Sequence, residues 1–346
     1  MRSNVTQGLR CALAILLLAA LGSAQAAVVL MYHRVGEDAI PATSVRVEQF
    51  EAHLEYLDAR GYTVLSLPGL IEHLRQGEPL PDRSVAISFD DAYSSIYTHA
   101  WPRLRERGLP FTIFVSTASV DRPGYMSWTQ LRELAAAGVS IANHSHSHAK
   151  LNERLPGEST ENWLKRVTED VEHAQRRIRQ EIGAGVNEAP RLFAYPYGEY
   201  NEALAEQLRS LGYIAFGQHS GAIGAGSDLR ALPRFPMNEI YGRPASFAEK
   251  LDTLPLPLTR IQPWDPSVTE NPPLLRLQLK PEVPAWRVTC FYDGEPMSAQ
   301  VSADEIRVRA PEPLPPGRSR YNCTAPAGSG RYYWYSHPWV VPGGRD

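Results

Sequence analysis

Several things are scarce in this chain of 346 residues, and each scarcity closes off a class of function. Positive charge is not in excess. Lys and Arg number 35 against 38 Asp and Glu, a net charge of -3, so the chain has no basic footprint for a nucleic-acid backbone. Nucleotide-binding and serine-hydrolase signatures are missing. There is no P-loop, no G-x-G-x-x-G after a strand and no G-x-S-x-G, and Gly217-Gln218-His219-Ser220-Gly221 has its serine in the wrong place. The apolar run from Cys11 to Leu21 is too short to span a bilayer comfortably. Cysteine is rare, with 3 in the chain, one of them in that run. Internal repeats and long low-complexity segments are absent as well.

What is there begins with an export signal. Arg2 and Arg10 precede the apolar run, and Ala24-Gln25-Ala26 is a small-x-small cleavage site. Residues 1–26 therefore read as a signal peptide, which implies a secreted or periplasmic protein with no stable membrane span once it is cut. The two cysteines that stay behind, Cys290 and Cys323, are expected to form one disulfide in an oxidising compartment. A hydrophobic content of 43% is enough for a sizeable core.

From residue 28 to about 220, apolar runs alternate with helical spacing. Helices are expected at Val47 to Arg60, Leu67 to Arg75, Ile96 to Arg107, Thr129 to Ala137, Asn162 to Gln180 and Asn201 to Ser210. This alternation implies parallel strands covered by helices, an α/β sheet or barrel. Polar, reactive residues repeatedly follow the strands: His33, Asp90-Asp91, His144 to His148, and Tyr197. Sites in parallel α/β architectures form at those strand ends. Residues 27–250 read as one such domain. Residues 251–274 are rich in proline and read as a linker. Residues 275–346 alternate apolar and polar in short runs and read as a small all-β sandwich stapled by Cys290–Cys323.

The chemistry centres on Val85-Ala86-Ile87-Ser88-Phe89-Asp90-Asp91, a buried-strand pattern that runs into two carboxylates. Buried acids need a cation, a proton or a partner charge. His144 and His148, four apart after another strand, can turn both rings toward one point. Alone they read first as a solvated histidine-rich loop. With Asp91 they make a three-ligand divalent site of the catalytic kind, with positions left open. Asp90, pointing the other way from Asp91, is then the candidate general base. Tyr197, after Pro196, offers a backbone N–H to a developing oxyanion.

Phe89-Asp90-Asp91, His144-Ser145-x-x-His148 and Tyr195-Pro196-Tyr197-Gly198 together resemble the polysaccharide deacetylases with a NodB-homology domain, carbohydrate esterase family four, over roughly residues 28 to 240. The resemblance implies a distorted (β/α) barrel and metal-dependent removal of acetyl groups from a polysaccharide or oligosaccharide. It makes Asp90 the base, Asp91, His144 and His148 the ligands of a divalent cation (zinc first among them), and Tyr197 part of the oxyanion hole. The histidine acid of the family sits in a Leu-x-x-His motif. Here Leu30-Met31-Tyr32-His33 has that spacing, as in permuted members similar to the deacetylases of poly-N-acetylglucosamine. His33 is therefore assigned as the acid, with His219 as its competitor.

The chain departs from the family in three places. Ala92 stands where glycine usually follows the aspartates, which is tolerable if φ stays negative. Ala194 stands where an arginine usually steadies the base, leaving Arg191 or Arg234 to take its place. The aspartate that pairs with that arginine is not identifiable, although Asp228 is available. Tyr93, Tyr125, Trp128, Tyr195 and Tyr200 are candidates for a sugar groove or for plain core. Two alternatives stand beside the N-deacetylase: an O-acetyl esterase on the same site, and a glycan-binding protein with a degenerate barrel.

Overall fold

The computed structural model describes residues 26–344; the expected signal peptide lies almost wholly outside them. In chain order, β1 (Ala26–Tyr32) is followed by α1 (Val47–Ala59) and α2 (Leu67–Gln76). Next come β2 (Ser84–Asp90), α3 (Trp101–Glu106), β3 (Thr112–Val115) and α4 (Trp128–Ala136). The series ends with β4 (Ser140–Asn143), α5 (Thr160–Ile182), β5 (Arg191–Ala194), α6 (Glu202–Ser210) and β6 (Tyr213–Phe216).

β1 to β6 lie side by side and parallel in chain order. A short strand β7 (Ala222–Gly224) pairs antiparallel with β1. The curl is nearly closed by residues 232–236. Leu232 bridges Phe216 of β6, and Phe235–Pro236 pairs parallel with β1. This closing segment places Arg234 between the last strand and the first.

Side chains alternate across a strand with a period of two. Ala27, Val29, Ala86, Phe114, Ala142, Leu192, Ala194, Ile214 and Phe216 form one buried cluster, inside the barrel. Their neighbours Val28, Leu30, Val85, Ile87, Ile113 and Ile141 pack outward with the helices. Counting on in the inward register reaches His33 after β1, Asp90 in β2 and His144 after β4. The reactive residues sit at the end of the interior stack, where the hydrophobic filling stops.

Beyond α7 (Pro244–Leu251), the chain builds two further sheets. β8 (Thr253–Pro255), β14 (Arg331–Val341), β13 (Gly317–Gly328) and β11 (Thr289–Tyr292) neighbour one another in that order. The other, four-stranded sheet has β9 (Leu258–Gln262), β10 (Leu274–Leu279) and β12 (Glu305–Arg309) side by side, with residues Ala299–Val301 paired on the far edge of β12. Leu275, Leu277, Ile306, Val308, Tyr321 and Trp339 fill the space between them. Cys290 and Cys323 are bonded directly across β11 and β13.

Three expectations need correction. Residues 251–274, expected to be a linker, contain β8 and β9. Pro255 is tolerated in β8 because β8 is the end strand of its sheet, where a missing N–H breaks no ladder, and the other prolines of this stretch fall outside β8 and β9. The helix expected over Ile96 to Arg107 begins as a wide π-turn segment at Ile96–Ala100, just before Pro102, whose ring nitrogen cannot donate to the ladder. The alternation expected throughout residues 275–346 is interrupted before β11, which starts at Thr289. Residues Ala285–Arg287, after Pro284, form a 3-10 turn that leaves Trp286 exposed.

Candidate active site and metal centre

Asp91 lies one residue past β2, at φ +71. This left-handed turn swings its carboxylate round the strand end. Oδ1 comes to 3.3 Å from Nε2 of His144 and 3.1 Å from Nε2 of His148. The ligand atoms of the three residues lie within 4.8 Å of one another. Tetrahedral ligation at about 2.0–2.1 Å would set neighbouring ligand atoms roughly 3.3 Å apart. Asp91 Oδ1 and His144 Nε2 are buried and take part in no hydrogen bond. Buried polar atoms are rarely left so unless an ion or water serves them. The three residues therefore fit a divalent cation.

Backbone and side-chain contacts aim the imidazoles. The Nδ1–H of His144 donates to the Ala194 carbonyl at 2.8 Å, which leaves Nε2 with its lone pair toward Asp91. Beyond β4 the chain turns sharply, with Ser145 at φ +67 and His148 at φ +55. Asn143 Oδ1 accepts the Ser145 N–H at 2.8 Å, and Ser145 Oγ accepts the His148 N–H at 3.0 Å. His146, between the ligands, turns away to Thr117 and packs on the ring of His173.

Asp90 meets a different fate. Arg234 donates to both of its oxygens, at 2.7 and 2.8 Å, and neither side chain is exposed. The same guanidinium donates to the Gly217 carbonyl at 3.0 Å and to Ser88 Oγ at 3.3 Å. Burial pushes the Asp90 carboxyl up, but the Arg234 charge and its bonds outweigh it and hold Asp90 below the ordinary carboxylate value. Asp91 is likewise pushed up by burial, yet His144 and His148, when protonated on the nitrogens that face it, hold it well below.

Of the two arginines considered as replacements at the base, Arg234 takes the position. Arg191 faces Glu172 and the Leu211 carbonyl instead. Asp228 pairs with Arg230, away from this centre. Ala92 has φ +60, opposite to the condition set for tolerating it. Positive φ recurs at Asp91, Ala92, Ser145, His148 and Tyr197, so strain gathers at this site.

His33 and His219 both line the groove beside the triad, but their charged neighbours differ. The His33 pKa is lowered, chiefly by burial, with Asp90 and Asp91 pulling it up and Arg234 and His144 pulling it down. This direction leaves the ring neutral in the resting site, so an acid role requires a proton gained during turnover. His219 is lowered to about 4 by burial, with Arg234 and Arg320 as its charged neighbours and no carboxylate among them.

The groove encloses about 1040 Å³. One wall carries Tyr93 stacked on Tyr125, ring centres 4.9 Å apart. Trp128, Tyr195 and Tyr200 are buried and belong to the core. Tyr197 lies at φ +58 with its ring 4.7 Å from that of His148. The opposite wall comes from the sandwich, including Arg318, Arg320 and Asn322.

The family model for polysaccharide deacetylase matches residues 77–216. The Bacillus subtilis protein named for polysaccharide deacetylase, YxkH, is 28% identical over 211 residues, 60% of this chain and 69% of that protein. A poly-beta-1,6-N-acetyl-D-glucosamine N-deacetylase of Escherichia coli is 28% identical over 240 residues; the match takes in 60% of this chain but only 36% of that longer protein. Among solved structures, IcaB from Ammonifex degensii superposes with a TM-score of 0.56 at 24% identity, over 66% of this chain and 97% of that one. The deacetylase PplD of Streptococcus pyogenes, in complex with acetate, gives a TM-score of 0.57 at 21% identity, over 66% of this chain and 99% of that one. These likenesses show the same barrel. Residues 77–216 thus resemble a polysaccharide deacetylase domain in sequence, and the barrel around them has the fold of the solved deacetylases.

Proposed function

We propose that the protein is a metal-dependent hydrolase that removes N-acetyl groups from N-acetylhexosamine units of a polysaccharide, in an exported setting. The observation that carries this reading is the convergence of Asp91, His144 and His148 beside a buried, arginine-held Asp90. Curated relatives named for de-N-acetylation of poly-N-acetylglucosamine support the choice of substrate. Export is supported by the signal-like start of the sequence. Among the described residues no helix is long and apolar enough to cross a membrane.

Asp91, His144 and His148 would hold the cation, zinc by the nitrogen-rich ligand set. Bound there, it would supply Lewis acidity toward the acetyl carbonyl and the attacking water. Asp90 takes a proton as water adds to the carbonyl carbon. Arg234 keeps Asp90 ionised and fixes its orientation. The N–H of Tyr197 stabilises the developing oxyanion. The proton taken by Asp90 then passes to His33, which hands it to the leaving nitrogen as the C–N bond breaks, so that Asp90 and His33 return to their starting states and acetate and a free amine result.

The reading is tested by acetate release from chitin oligomers and from poly-N-acetylglucosamine, with acetylated xylan as the ester comparison. Asp90→Asn should keep its metal and lose at least about a hundredfold in kcat, the scale of a lost general base. Retention of most activity by the metal-loaded variant would overturn the role of Asp90. Release from xylan alone would replace the amide with an ester.

A further inference from the structure

The turn Pro196–Gly198 is held from outside the barrel. Arg318, at the start of β13 in the sandwich, is 121 positions along the chain from Tyr197, yet its Nη1 donates to the Tyr197 carbonyl at 2.6 Å. The same nitrogen reaches Gln218 Oε1 at 3.4 Å, and Nε lies 3.8 Å from the buried carboxylate of Glu199. Tyr197 has positive φ, a conformation that costs any residue with a Cβ and persists only where the surroundings enforce it. Gly198 follows with φ +71; a Cβ there would fall 2.5 Å from Cβ of Gln218, so the turn is pressed against the loop after β6. The Gly198 N–H donates to the Tyr195 carbonyl at 2.8 Å. The peptide plane between Tyr197 and Gly198 is thus gripped at both ends, its carbonyl by Arg318 and its N–H by Tyr195.

We propose that Arg318 is a positioning residue for the barrel's reaction, through which the C-terminal sandwich holds the Tyr197 turn in its working conformation. The proposal rests on the deacetylase reading, in which that turn faces the developing oxyanion. Fixing the Tyr197 carbonyl sets the ψ angle of Tyr197 and limits rotation of the turn that carries its N–H. The Tyr197 ring also packs on His148, with ring centres 4.7 Å apart, which seats the turn against the triad. The Arg318 side chain is 49% exposed, at the rim of the groove, so its loss removes no core packing. The sandwich in turn is locked to the barrel: Ser336 Oγ lies 2.7 Å from Ser220 Oγ, and the Trp334 indole donates to Ser220 Oγ and packs on Phe235.

The test uses the full-length, zinc-loaded protein with Arg318→Ala and Arg318→Lys. Acetate release from N-acetylglucosamine oligomers gives kcat and KM, metal analysis gives zinc content, and hydrogen exchange follows residues 195–200 without substrate. Arg318→Ala should lose about 10- to 100-fold in kcat, somewhat less than removal of an oxyanion donor itself. Its KM should stay within about threefold and its zinc content unchanged, and the turn should exchange faster. Arg318→Lys should recover most of kcat, since an ammonium still donates to the carbonyl. A wild-type kcat in Arg318→Ala, a rise in KM alone, or unchanged exchange would overturn the proposal. If the wild-type protein itself releases no acetate, the deacetylase reading fails, and exchange then decides alone whether Arg318 holds the turn.

Discussion

Asp90 and Asp91 share a side-chain type and a peptide bond, yet Asp90 has both oxygens on Arg234 while Asp91 leaves a buried oxygen facing two imidazoles. The first is a completed ion pair, neutralised within the chain. The second leaves an oxygen unserved within a group of three that fits a cation. The difference arises from geometry: Asp90 ends the inward register of β2, and Asp91 is thrown round the strand end by its positive φ. One extended residue and one left-handed residue give the same side chain a closed ion pair in one place and an open, buried oxygen in the next.

Breaking the completed pair should have the largest effect on stability. Arg234→Met leaves Asp90 buried without compensation, a loss of about 3–5 kcal/mol in urea unfolding. The double change Arg234→Met with Asp90→Leu should restore much of it, since no charge is then stranded. A loss under about 1 kcal/mol in Arg234→Met would show that Asp90 is not held as described.

The group of three should respond to cation instead. At free zinc a hundredfold above its dissociation constant, the wild-type protein should gain about 2.7 kcal/mol by mass action, a gain that chelation removes. His144→Ala should show little of this shift. Asp91→Asn, measured without metal, should cost less than about 1 kcal/mol, because the carboxylate it removes has an unserved oxygen. Equal zinc-dependent shifts in wild type and His144→Ala would separate the triad from metal binding.

His53 sharpens the same contrast away from the site, as a buried ring satisfied at both nitrogens. Tyr32 donates to Nδ1 at 2.9 Å, and Nε2–H donates to the Gly242 carbonyl at 2.5 Å. Burial, aided by the Lys250 charge, lowers its pKa to about 4, although the Gly242 bond pulls it up. With a folded value of about 4 below the unfolded value near 6.5, the unfolded chain binds the proton first. The stability His53 contributes is complete above pH 6.5 or so and declines as the pH falls toward 4. Between about pH 6 and 5 the loss should be about 1 kcal/mol, and His53→Gln should flatten that part of the slope. An unchanged slope in the variant would assign the acid sensitivity to other groups.

How much of this was legible beforehand follows from the range of the interactions. The strand ends were readable, because a buried run that stops at Asp90-Asp91, or at His144, declares its own direction through the period of two. That His33 ends a buried strand was readable from Val28 to Tyr32, and the structure puts it just past β1, in the groove near Asp90 and Asp91. The partner of Asp90 was not. Arg234 arrives only because residues 232–236 close the curl between β6 and β1, a contact with no local signal, so Arg191 looked equally suitable. The positive φ at Ala92 escaped because only glycine advertises that conformation. The strands in the proline-rich stretch escaped because proline speaks against a central strand and says little against an edge.

The hairpin of β13 and β14 runs like a splint along the barrel. Near one end Arg318 grips the Tyr197 turn; near the other, Arg331 donates to the Asp252 carbonyl and lies 3.6 Å from Asp82. Trimming the chain after α7 to obtain a minimal catalytic fragment would therefore strip this brace from two ends at once and bare the Phe235 face that Trp334 shields. The fragment that looks self-sufficient from its motifs would keep the triad and Asp90 while losing the scaffold that steadies the Tyr197 turn beside them.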